Sequence, residues 1–334
     1  MATSSAYLDQ VGRDLWARDV FTFIPDRDLP PPPPETITPG SGPRVAFAGF
    51  PSDFSLAFLL RLLQLDVRPV GIITSPGAHP SILGDNALSR IADHLGIPLL
   101  RAWRINDEHS RFELDELGLD AVVMASFDQI IGARALAIPK HGWLNVHPSL
   151  LPAYRGPEPV YWAIAEGAPV SGITMHKAAP KVDSGPILAQ ARVPILPGDT
   201  AGTLTKRLVD AGMTLLPQAV EGLLTDSAGI EVDMSNSSYR TSIGHRSLEE
   251  AGSAEEAERM VRAGAPNMLP WVMRDGRAVY VKTARVADGA STDGVPVLHY
   301  PNGDLMLLET MDTCGCHHNT NDCAHRRTQS VTGR

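Results

Sequence analysis

Cysteine is absent from almost the whole chain: among 334 residues the only cysteines are Cys314, Cys316 and Cys323. The part expected to fold therefore has no disulfide, which is typical of a reducing compartment, and we expect a cytoplasmic protein. The chain also lacks any apolar run of about 18 residues, the length that a membrane-spanning helix needs. The N-terminal stretch MATSSAYLDQVGRDLWARD lacks the basic start and apolar run of a signal peptide.

A basic excess is missing as well. Lys and Arg number 29 against 38 Asp and Glu, which gives a formal net charge of −9. A polyanion such as tRNA prefers a basic surface, so this balance argues against a nucleic-acid partner. Hydrophobic content of 43% and charged content of 20% indicate a globular protein, and the length predicts two domains.

The chain has no dinucleotide fingerprint either. Its first predicted strand, RVAFAGF, leads into a loop with Gly49 but no G-x-G-x-x-G, so NAD and FAD are not predicted. What is present is alternation of buried-strand patterns (RPVGIITS, LDAVVMASF, GWLNVHP) with helical ones (SLAFLLRLLQL, NALSRIADHLGIP). This alternation predicts an α/β fold with a Rossmann-like parallel sheet, whose ligands bind at the carboxyl ends of the strands.

Composition divides the chain into four parts. The two larger parts are the α/β domain, 41–228, and a smaller β-rich domain with short alternating segments, 229–312. The outer parts are an N-terminal extension with a five-proline linker, 1–40, and a Cys/His-rich tail, 313–334. Residues 1–24 could form a short amphipathic helix, and for the proline-rich part an extended linker or arm and a bare disordered extension are equal alternatives. The apolar face of such a helix would be Tyr7, Val11, Leu15 and Trp16.

Candidate catalytic groups occur in LNVHPSLLPAYRGPEPVYWAI, which follows the strand pattern GWLNVHP. Asn145 and His147 are two residues apart, so in a strand their side chains share one face and can address the same carbonyl oxygen. Asp183 lies downstream in the turn sequence KVDSGP. A carboxylate near His147 would orient the imidazole and raise its basicity. Taken singly, such residues are more often structural than catalytic, and only their combination favours a catalytic site.

At these residues the sequence resembles the folate-dependent formyltransferases, a family that includes methionyl-tRNA and amino-sugar formyltransferases. The family pattern Asn-x-His-x-Ser-Leu-Leu-Pro is matched by Asn145 to Pro152, and its Asp-x-Gly by Asp183 to Gly185. The resemblance extends over about 44–224. A weaker similarity at 260–286 is to the OB-like C-terminal domain of the family, which gives the expected fold of the second domain.

The resemblance implies that N10-formyltetrahydrofolate donates a formyl group to an amine. Asn145 and His147 would stabilise the oxyanion, and Asp183 would orient His147 and help to remove the amine proton. Ser149 is expected to be structural rather than a nucleophile. The family binds the pterin largely through backbone groups beside the strand VVMASFDQII and near the aspartate. The folate contacts expected here are Met124, Ser126, Phe127, Gln129, Ile130 and Val182.

The identity of the formyl acceptor is inferred from positions at which this sequence differs from the pattern expected of the family. The region 74–86 contains no Lys or Arg, whereas members that act on tRNA are expected to carry a basic loop there. Tyr161 and Trp162 in PEPVYWAI look more like the small-molecule members. Together with the acidic charge, these features favour a primary or hydroxylated amine on a small metabolite, sugar nucleotide or peptide, and we expect tRNA not to be a partner. Methionyl-tRNA is the alternative acceptor.

Two further hypotheses about the function remain. A formyltetrahydrofolate hydrolase shares the Asn-His-Asp set and releases formate to water. A metal-sensing or regulatory protein with a vestigial enzyme fold is the other, although the intact catalytic set argues against it. The oligomeric state is left open.

The tail sequence CGCHHNTNDCAH is a candidate metal site. Thiolates and imidazoles at close spacing suit Zn(II) or Cu(I), and the Cys-x-Cys pair favours Cu(I) or an irregular zinc site. The predicted ligands are Cys314, Cys316, His317 and Cys323. A frayed tail that captures metal only incidentally is the alternative. A real site would allow metal to regulate the enzyme.

Overall fold

The computed structural model describes residues 5–22, 32, 41–75, 86–287, 289 and 294–312, which form two compact units. The first unit is drawn from Met1–Arg155, Gly172–Val193 and Thr205–Tyr239, and the second from Gly156–Ser171, Pro194–Leu204 and Arg240–Arg334. An α/β sheet lies mostly in the first unit and a small antiparallel sheet in the second. The predicted fold class, a Rossmann-like domain followed by an OB-like β-rich domain, is confirmed.

The larger sheet has seven strands. In chain order they are β1 (Arg44–Gly49), β2 (Arg68–Thr74), β3 (Leu99–Arg101), β4 (Ala121–Ala125), β5 (Trp143–His147), β6 (Val170–Lys177) and β7 (Ile187–Pro194). Their spatial order is β3-β2-β1-β4-β5-β6-β7. The pairs from β3 to β5 are parallel, whereas β6 runs antiparallel to β5. The carboxyl ends of β1, β4 and β5 therefore meet at one edge of the sheet.

Eight α-helices accompany the two sheets in the described part of the chain. They are α1 (Ala6–Trp16), α2 (Asp53–Leu63), α3 (Ala87–Leu95), α4 (Glu108–Glu116), α5 (Ala133–Leu136), α6 (Pro159–Ala165), α7 (Ala201–Leu224) and α8 (Ala254–Gly264). Side chains that accept from backbone amides cap several of them, as Ser52, Asn86 and Asp107 do for α2, α3 and α4. Among these helices none has both the length and the apolar character needed to cross a bilayer.

The core of the first unit follows from the continuous apolar runs of its parallel strands. All five residues of β4 and the last five of β1 are buried, as expected for strands covered on both faces. One core cluster on this sheet joins residues of β1, β2 and β4 to the fully buried Trp143 of β5. A rigid support of this kind fixes where the strand ends, and hence the candidate site residues, must lie.

The N-terminal extension contains a packed helix, as the spacing of its apolar residues predicts. Ser5 caps α1, whose buried residues are Tyr7, Leu8, Val11 and Leu15. Leu8 thus takes the buried position expected for Trp16, which is only half-buried. After the helix, Arg18 and the amide of Thr22 bind the buried carboxylate of Asp53, at 2.7 and 2.9 Å. Of the predicted proline linker at 30–34, only Pro32 lies within the described residues.

The second unit contains a four-stranded antiparallel sheet of order β10-β11-β9-β8. Its strands are β8 (Trp271–Arg274), β9 (Arg277–Val286), β10 (Val297–Tyr300) and β11 (Gly303–Met311). The amphipathic α8 contributes Ala257, Met260 and Val261 to a core shared with Val281 and Leu305 of the sheet. Helix α8 corresponds to the segment AEEAERMVRAG, whose apolar residues recur at helical spacing.

Candidate active site

The three residues expected to be catalytic lie together at the carboxyl end of β5. Asn145 and His147 are on this strand, and Asp183 is in the loop between β6 and β7. Asn145 Nδ2 donates to Asp183 Oδ1 at 3.2 Å, and His147 Nδ1 lies 3.7 Å from Asp183 Oδ2. Because both side chains reach the same carboxylate, the expected common face of the strand is what the structure shows. The catalytic roles themselves stay a proposal.

A second histidine, which sequence reasoning missed, completes the cluster. The β5–β6 register pairs Asn145 directly with His176. His176 Nε2 lies 3.1 Å from Asn145 Nδ2 and 3.5 Å from Asp183 Oδ1, and its side chain is fully buried. A polar residue in the apolar strand SGITMHKA was the available signal, but only the pairing register places it opposite Asn145.

The hydrogen bonds assign the tautomers of both histidines, because a carbonyl oxygen can only accept. His147 Nε2 lies 2.9 Å from Tyr154 O, so Nε2 carries the proton and Nδ1 offers its lone pair toward Asp183. His176 Nδ1 lies 2.9 Å from Lys177 O, so Nδ1 is protonated and Nε2 accepts from Asn145. The amide of Asn145 thus bridges His176 and Asp183.

His147 is neutral in this environment. Burial lowers the pKa of His147 below the usual range of imidazole, and this effect exceeds the opposing influence of the Asp183 carboxylate. His147 Nδ1 and Asp183 Oδ2, both acceptors in this state, face one another across 3.7 Å. An amine nitrogen placed beside these two acceptors could donate one N–H to each, which would orient its lone pair and offer a base for its proton.

Ser149 has a structural role, as expected. Its hydroxyl donates to Ala153 O at 2.7 Å, and its carbonyl accepts from the Thr174 hydroxyl at 2.7 Å. Gln190 donates to the same threonine at 2.8 Å. These buried hydrogen bonds join the segment after β5 to β6 and β7. The Ser149 hydroxyl thus donates to a backbone carbonyl and not to a base that would activate it as a nucleophile.

The turn that carries Asp183 is tightly constrained. Asp183 has a φ of 48°, in the left-handed region where aspartate and asparagine are tolerated. A Cβ on Gly185 would lie 1.9 Å from Lys177 O, so this position admits only glycine. The carbonyl of Val182 accepts from Arg155 Nε and Nη2, at 3.1 and 2.9 Å. The folate contact expected from Val182 therefore competes with an internal hydrogen bond if it involves this carbonyl.

The loop after β4, where most folate contacts are expected, is preformed. Met124 is buried in β4, Ser126 turns the chain with a φ of 57°, and Phe127 packs against the core of the sheet. The side chain of Gln129 bonds to Ser75, Ala102 and Ile105 at 2.6 to 3.0 Å, so it holds neighbouring loops in place.

Asn106 fixes the next part of this loop. Its amide donates to Ile130 O at 2.8 Å and accepts from the Gly132 amide at 2.6 Å. The Ile130 side chain is left 66% exposed at the carboxyl edge of the sheet. A rigid backbone edge with an exposed apolar side chain fits a flat heterocycle such as a pterin. The six expected folate contacts remain a prediction.

The predicted metal ligands Cys314, Cys316, His317 and Cys323 lie outside the described residues. Within the part of the chain that the structure describes, no group of three or more His, Cys, Asp or Glu side chains could hold a metal ion. The tail site therefore stays a prediction.

Comparison with known proteins gives a consistent family. A profile of the formyl transferase family matches residues 77–220. A methionyl-tRNA formyltransferase of Acidothermus cellulolyticus is 32% identical over 266 residues, which cover 75% of this chain and 81% of that protein. The methionyl-tRNA formyltransferase of Mycobacterium bovis (strain BCG / Pasteur 1173P2) is 33% identical over 246 residues, 69% of this chain and 76% of the relative.

Solved structures share the fold. A sugar N-formyltransferase from Shewanella sp FDAARGOS_354 matches with a TM-score of 0.57 at 21% identity, over 72% of this chain and 96% of that one. HypX from Aquifex aeolicus in complex with tetrahydrofolic acid matches with a TM-score of 0.56 at 14% identity, over 81% of this chain and 44% of that one. At these identities the likeness concerns the fold alone.

The expectation that the acceptor is a small-molecule amine and that tRNA is not a partner is wrong, because the curated relatives are methionyl-tRNA formyltransferases. Net charge is a sum over the whole surface and does not set the field at one patch. Strand β9 illustrates this: it carries the exposed Arg277, Lys282 and Arg285 and no acidic residue. The loop used for the earlier inference, 74–86, lies mostly outside the described residues.

Proposed function

We propose that this chain, which belongs to the folate-dependent formyltransferase family, transfers the formyl group of N10-formyltetrahydrofolate to the amine of methionyl-tRNA. The observation that carries the proposal is the 32% identity to a methionyl-tRNA formyltransferase over 81% of that relative's length. The match covers 75% of this chain and 81% of the relative, so it extends well beyond the segment 77–220 that matches the family profile.

The geometry at His147 supports an amine acceptor. The free amine lies beside the pair formed by His147 Nδ1 and Asp183 Oδ2, which are 3.7 Å apart, at about 2.9 Å from each, and donates one N–H to each. Its lone pair then points away from both groups, toward the formyl carbon. Burial keeps His147 neutral, so its Nδ1 can take a proton as the new bond forms.

The bound cosubstrate supplies the formyl carbon and a leaving nitrogen, N10. His147 accepts the proton lost by the attacking amine, and Asp183 stabilises the imidazolium that results. Asn145 turns an N–H from Asp183 to the formyl oxygen as negative charge develops there. His147 then returns its proton to N10 as the carbon–N10 bond breaks. One C–N bond forms and one breaks, and the amine proton ends on tetrahydrofolate, so the step balances.

The second unit offers support for a polyanionic acceptor. The exposed cations of β9, Arg277, Lys282 and Arg285, lie on one continuous strand. Lys282 is paired with Glu309 of β11 at 3.0 Å. Nucleic acid phosphates bind to such cations, and their number sets the salt dependence of affinity.

The experiment combines purified protein, N10-formyltetrahydrofolate and methionyl-tRNA, and follows both tetrahydrofolate and formylmethionyl-tRNA. Parallel reactions contain water alone or a panel of amino sugars. His147→Ala is compared with His141→Ala, because His141 also pairs with an aspartate, Asp226, at 3.1 Å but lies outside the site. We expect turnover with methionyl-tRNA that is lost in His147→Ala and retained in His141→Ala.

Other outcomes assign other functions. Formate release without an amine would make the protein a formyltetrahydrofolate hydrolase. Turnover with an amino sugar but not with methionyl-tRNA would refute the proposed acceptor. Full turnover in His147→Ala would refute the proposed site.

We also propose that the Cys/His tail regulates this activity through Cu(I) or Zn(II). The proposal rests on the composition of the tail alone. Serine at all three cysteine positions should lower the metal content and abolish any change of rate on metal addition. Metal content and metal response that both equal those of the wild type would contradict it.

A further inference from the structure

A short segment braces the loop that follows β5. We call this segment, Ser237–Tyr239, the strap. The Tyr154 amide donates to the Ser238 hydroxyl at 2.8 Å, and the Arg155 amide donates to Ser238 O at 2.9 Å. The Ser238 amide donates in return to Pro152 O at 3.2 Å, and Arg155 forms a parallel bridge with Tyr239. The strap thus binds this loop in the manner of an added strand.

The first consequence concerns His147. Tyr154, which the strap holds by its amide, presents its carbonyl to His147 Nε2 at 2.9 Å. This contact keeps the proton on Nε2 and leaves the lone pair on Nδ1, facing Asp183. Movement of Tyr154 would release both the orientation and the tautomer of the imidazole.

The second consequence concerns Asp183. The guanidinium of Arg155 is buried, and its Nε and Nη2 both donate to Val182 O, at 3.1 and 2.9 Å. Its Nη1 donates to the Ser237 hydroxyl at 3.3 Å, and its Cζ lies 5.8 Å from the centroid of the Tyr239 ring. Arg155 therefore links the strap to the peptide that immediately precedes the catalytic carboxylate.

The backbone at both ends of this linkage is strained. Tyr154 and Asp183 have φ values of 55° and 48°, in the left-handed region. Such conformations in residues other than glycine persist only where neighbouring contacts determine them. The strap and Arg155 supply those contacts, one at each strained residue.

We propose that Arg155 and the strap residue Ser238 are positioning residues of the formyl transfer reaction, which together set the gap between His147 Nδ1 and Asp183 Oδ2. The inference rests on the proposed catalytic roles of those two residues. Neither Arg155 nor Ser238 touches the reacting atoms. Each acts through the carbonyl or amide of a neighbouring residue, and the predicted effect is on kcat rather than on substrate binding.

The charge of Arg155 provides a separate readout. The charged and titratable groups that face His147 are Asp183, His176 and Arg155. Arg155 is among the influences that lower the pKa of His147, after burial and His176. Loss of this cation should move the acid limb of the kcat profile to higher pH, whereas a lysine should preserve it. Geometry and charge can therefore be tested apart.

The experiment measures kcat, both KM values and the pH profile for Arg155→Ala, Arg155→Lys and Ser238→Ala. We expect kcat to fall about 10- to 100-fold, the effect typical of a misplaced catalytic group, with each KM within about twofold of the wild type. Arg155→Lys should lose kcat but keep the acid limb, and Arg155→Ala should lose kcat and shift the limb upward. Added guanidinium at low millimolar concentration should restore part of the kcat of Arg155→Ala, which also shows that the variant is folded.

Arg44→Ala is the matched control. Arg44 also donates two hydrogen bonds to one backbone carbonyl in the first unit: its Nε and Nη2 both donate to Leu117 O, at 3.2 and 2.6 Å. These contacts do not involve the site residues. Its loss should leave kcat and the pH profile unchanged. Wild-type kcat in both Arg155 variants, together with an inactive His147→Ala, would overturn this inference alone. An active His147→Ala would instead overturn the proposed catalytic site.

Discussion

Replacing Asp183 with asparagine removes one charge from the site and leaves the shape of the side chain nearly unchanged. Asparagine adopts left-handed backbone conformations as readily as aspartate, so the φ of 48° at this position is preserved. An alanine would add backbone strain to the loss of the carboxylate. The asparagine variant therefore isolates the electrostatic role of the group.

The expected size of the effect follows from the distance between Asp183 and His147. Once His147 has taken a proton, opposite charges lie 3.7 Å apart between side chains that are 9% and 6% exposed. With an effective dielectric constant of about 20, Coulomb's law gives an attraction of roughly 4.5 kcal/mol. A factor of ten in rate corresponds to about 1.4 kcal/mol, so this attraction accounts for up to ~10³ in rate. Because the asparagine amide can still bond to its neighbours, we expect kcat to fall about 10²- to 10³-fold.

The assay is single-turnover formation of tetrahydrofolate with saturating methionyl-tRNA. The matched control is Asp226→Asn, because Asp226 also has a left-handed backbone, with a φ of 54°, and also pairs with a histidine, but it is 67% exposed. We expect wild-type rates in the control and unchanged folate affinity in Asp183→Asn. A wild-type kcat in Asp183→Asn would refute the electrostatic reasoning, and equal losses in both variants would show a general effect on folding.

Three further predictions concern single contacts. Burial lowers the pKa of His147, so this base stays neutral to more acidic pH. We therefore expect kcat to decline only as the pH falls below about 6.5, the ordinary pKa of histidine. A decline centred above that pH would contradict this. Arg18→Ala removes the cation that pairs with the buried Asp53 carboxylate and should reduce the free energy of unfolding in urea by about 2 kcal/mol. This is less than for a fully buried pair, because Arg18 is 35% exposed. Unchanged stability would show that the N-terminal helix does not depend on this pair. Gly185→Ala places a Cβ against Lys177 O and displaces the turn that carries Asp183. We expect kcat to fall by more than tenfold, with small changes of KM. A wild-type kcat would contradict the need for glycine there.

Local pattern identified those parts of the site that are close in sequence. The spacing of Asn145 and His147 in an apolar strand was enough to place both side chains on one face, because the strand period is two residues. The segment DSGP indicated a turn at Asp183 for equally local reasons. Helix α1 followed from the spacing of its apolar residues, although its buried face uses Leu8 in place of Trp16.

Long-range partners could not be obtained in this way. His176 enters the cluster because β6 pairs with β5 in one register, and a shift of one residue would turn it to the other face. The local sequence around Arg155 does not predict that its guanidinium is buried against Val182 O. Ser238 lies more than 80 residues beyond Tyr154, and only the folded chain brings them within a hydrogen bond. The hydrogen bonds of Gln129, an expected folate contact, to the neighbouring loops also became visible only in the structure.

By itself, then, the sequence determined the parallel α/β class, the placement of the candidate histidine and asparagine on one strand face, and the absence of a dinucleotide fingerprint, since each depends on periodicity or spacing within a few residues. The tertiary structure decided the histidine tautomers, the lowered pKa of His147 and the bracing of Tyr154 and Asp183. These properties depend on burial and on hydrogen bonds between distant segments, which the local order of residues does not specify.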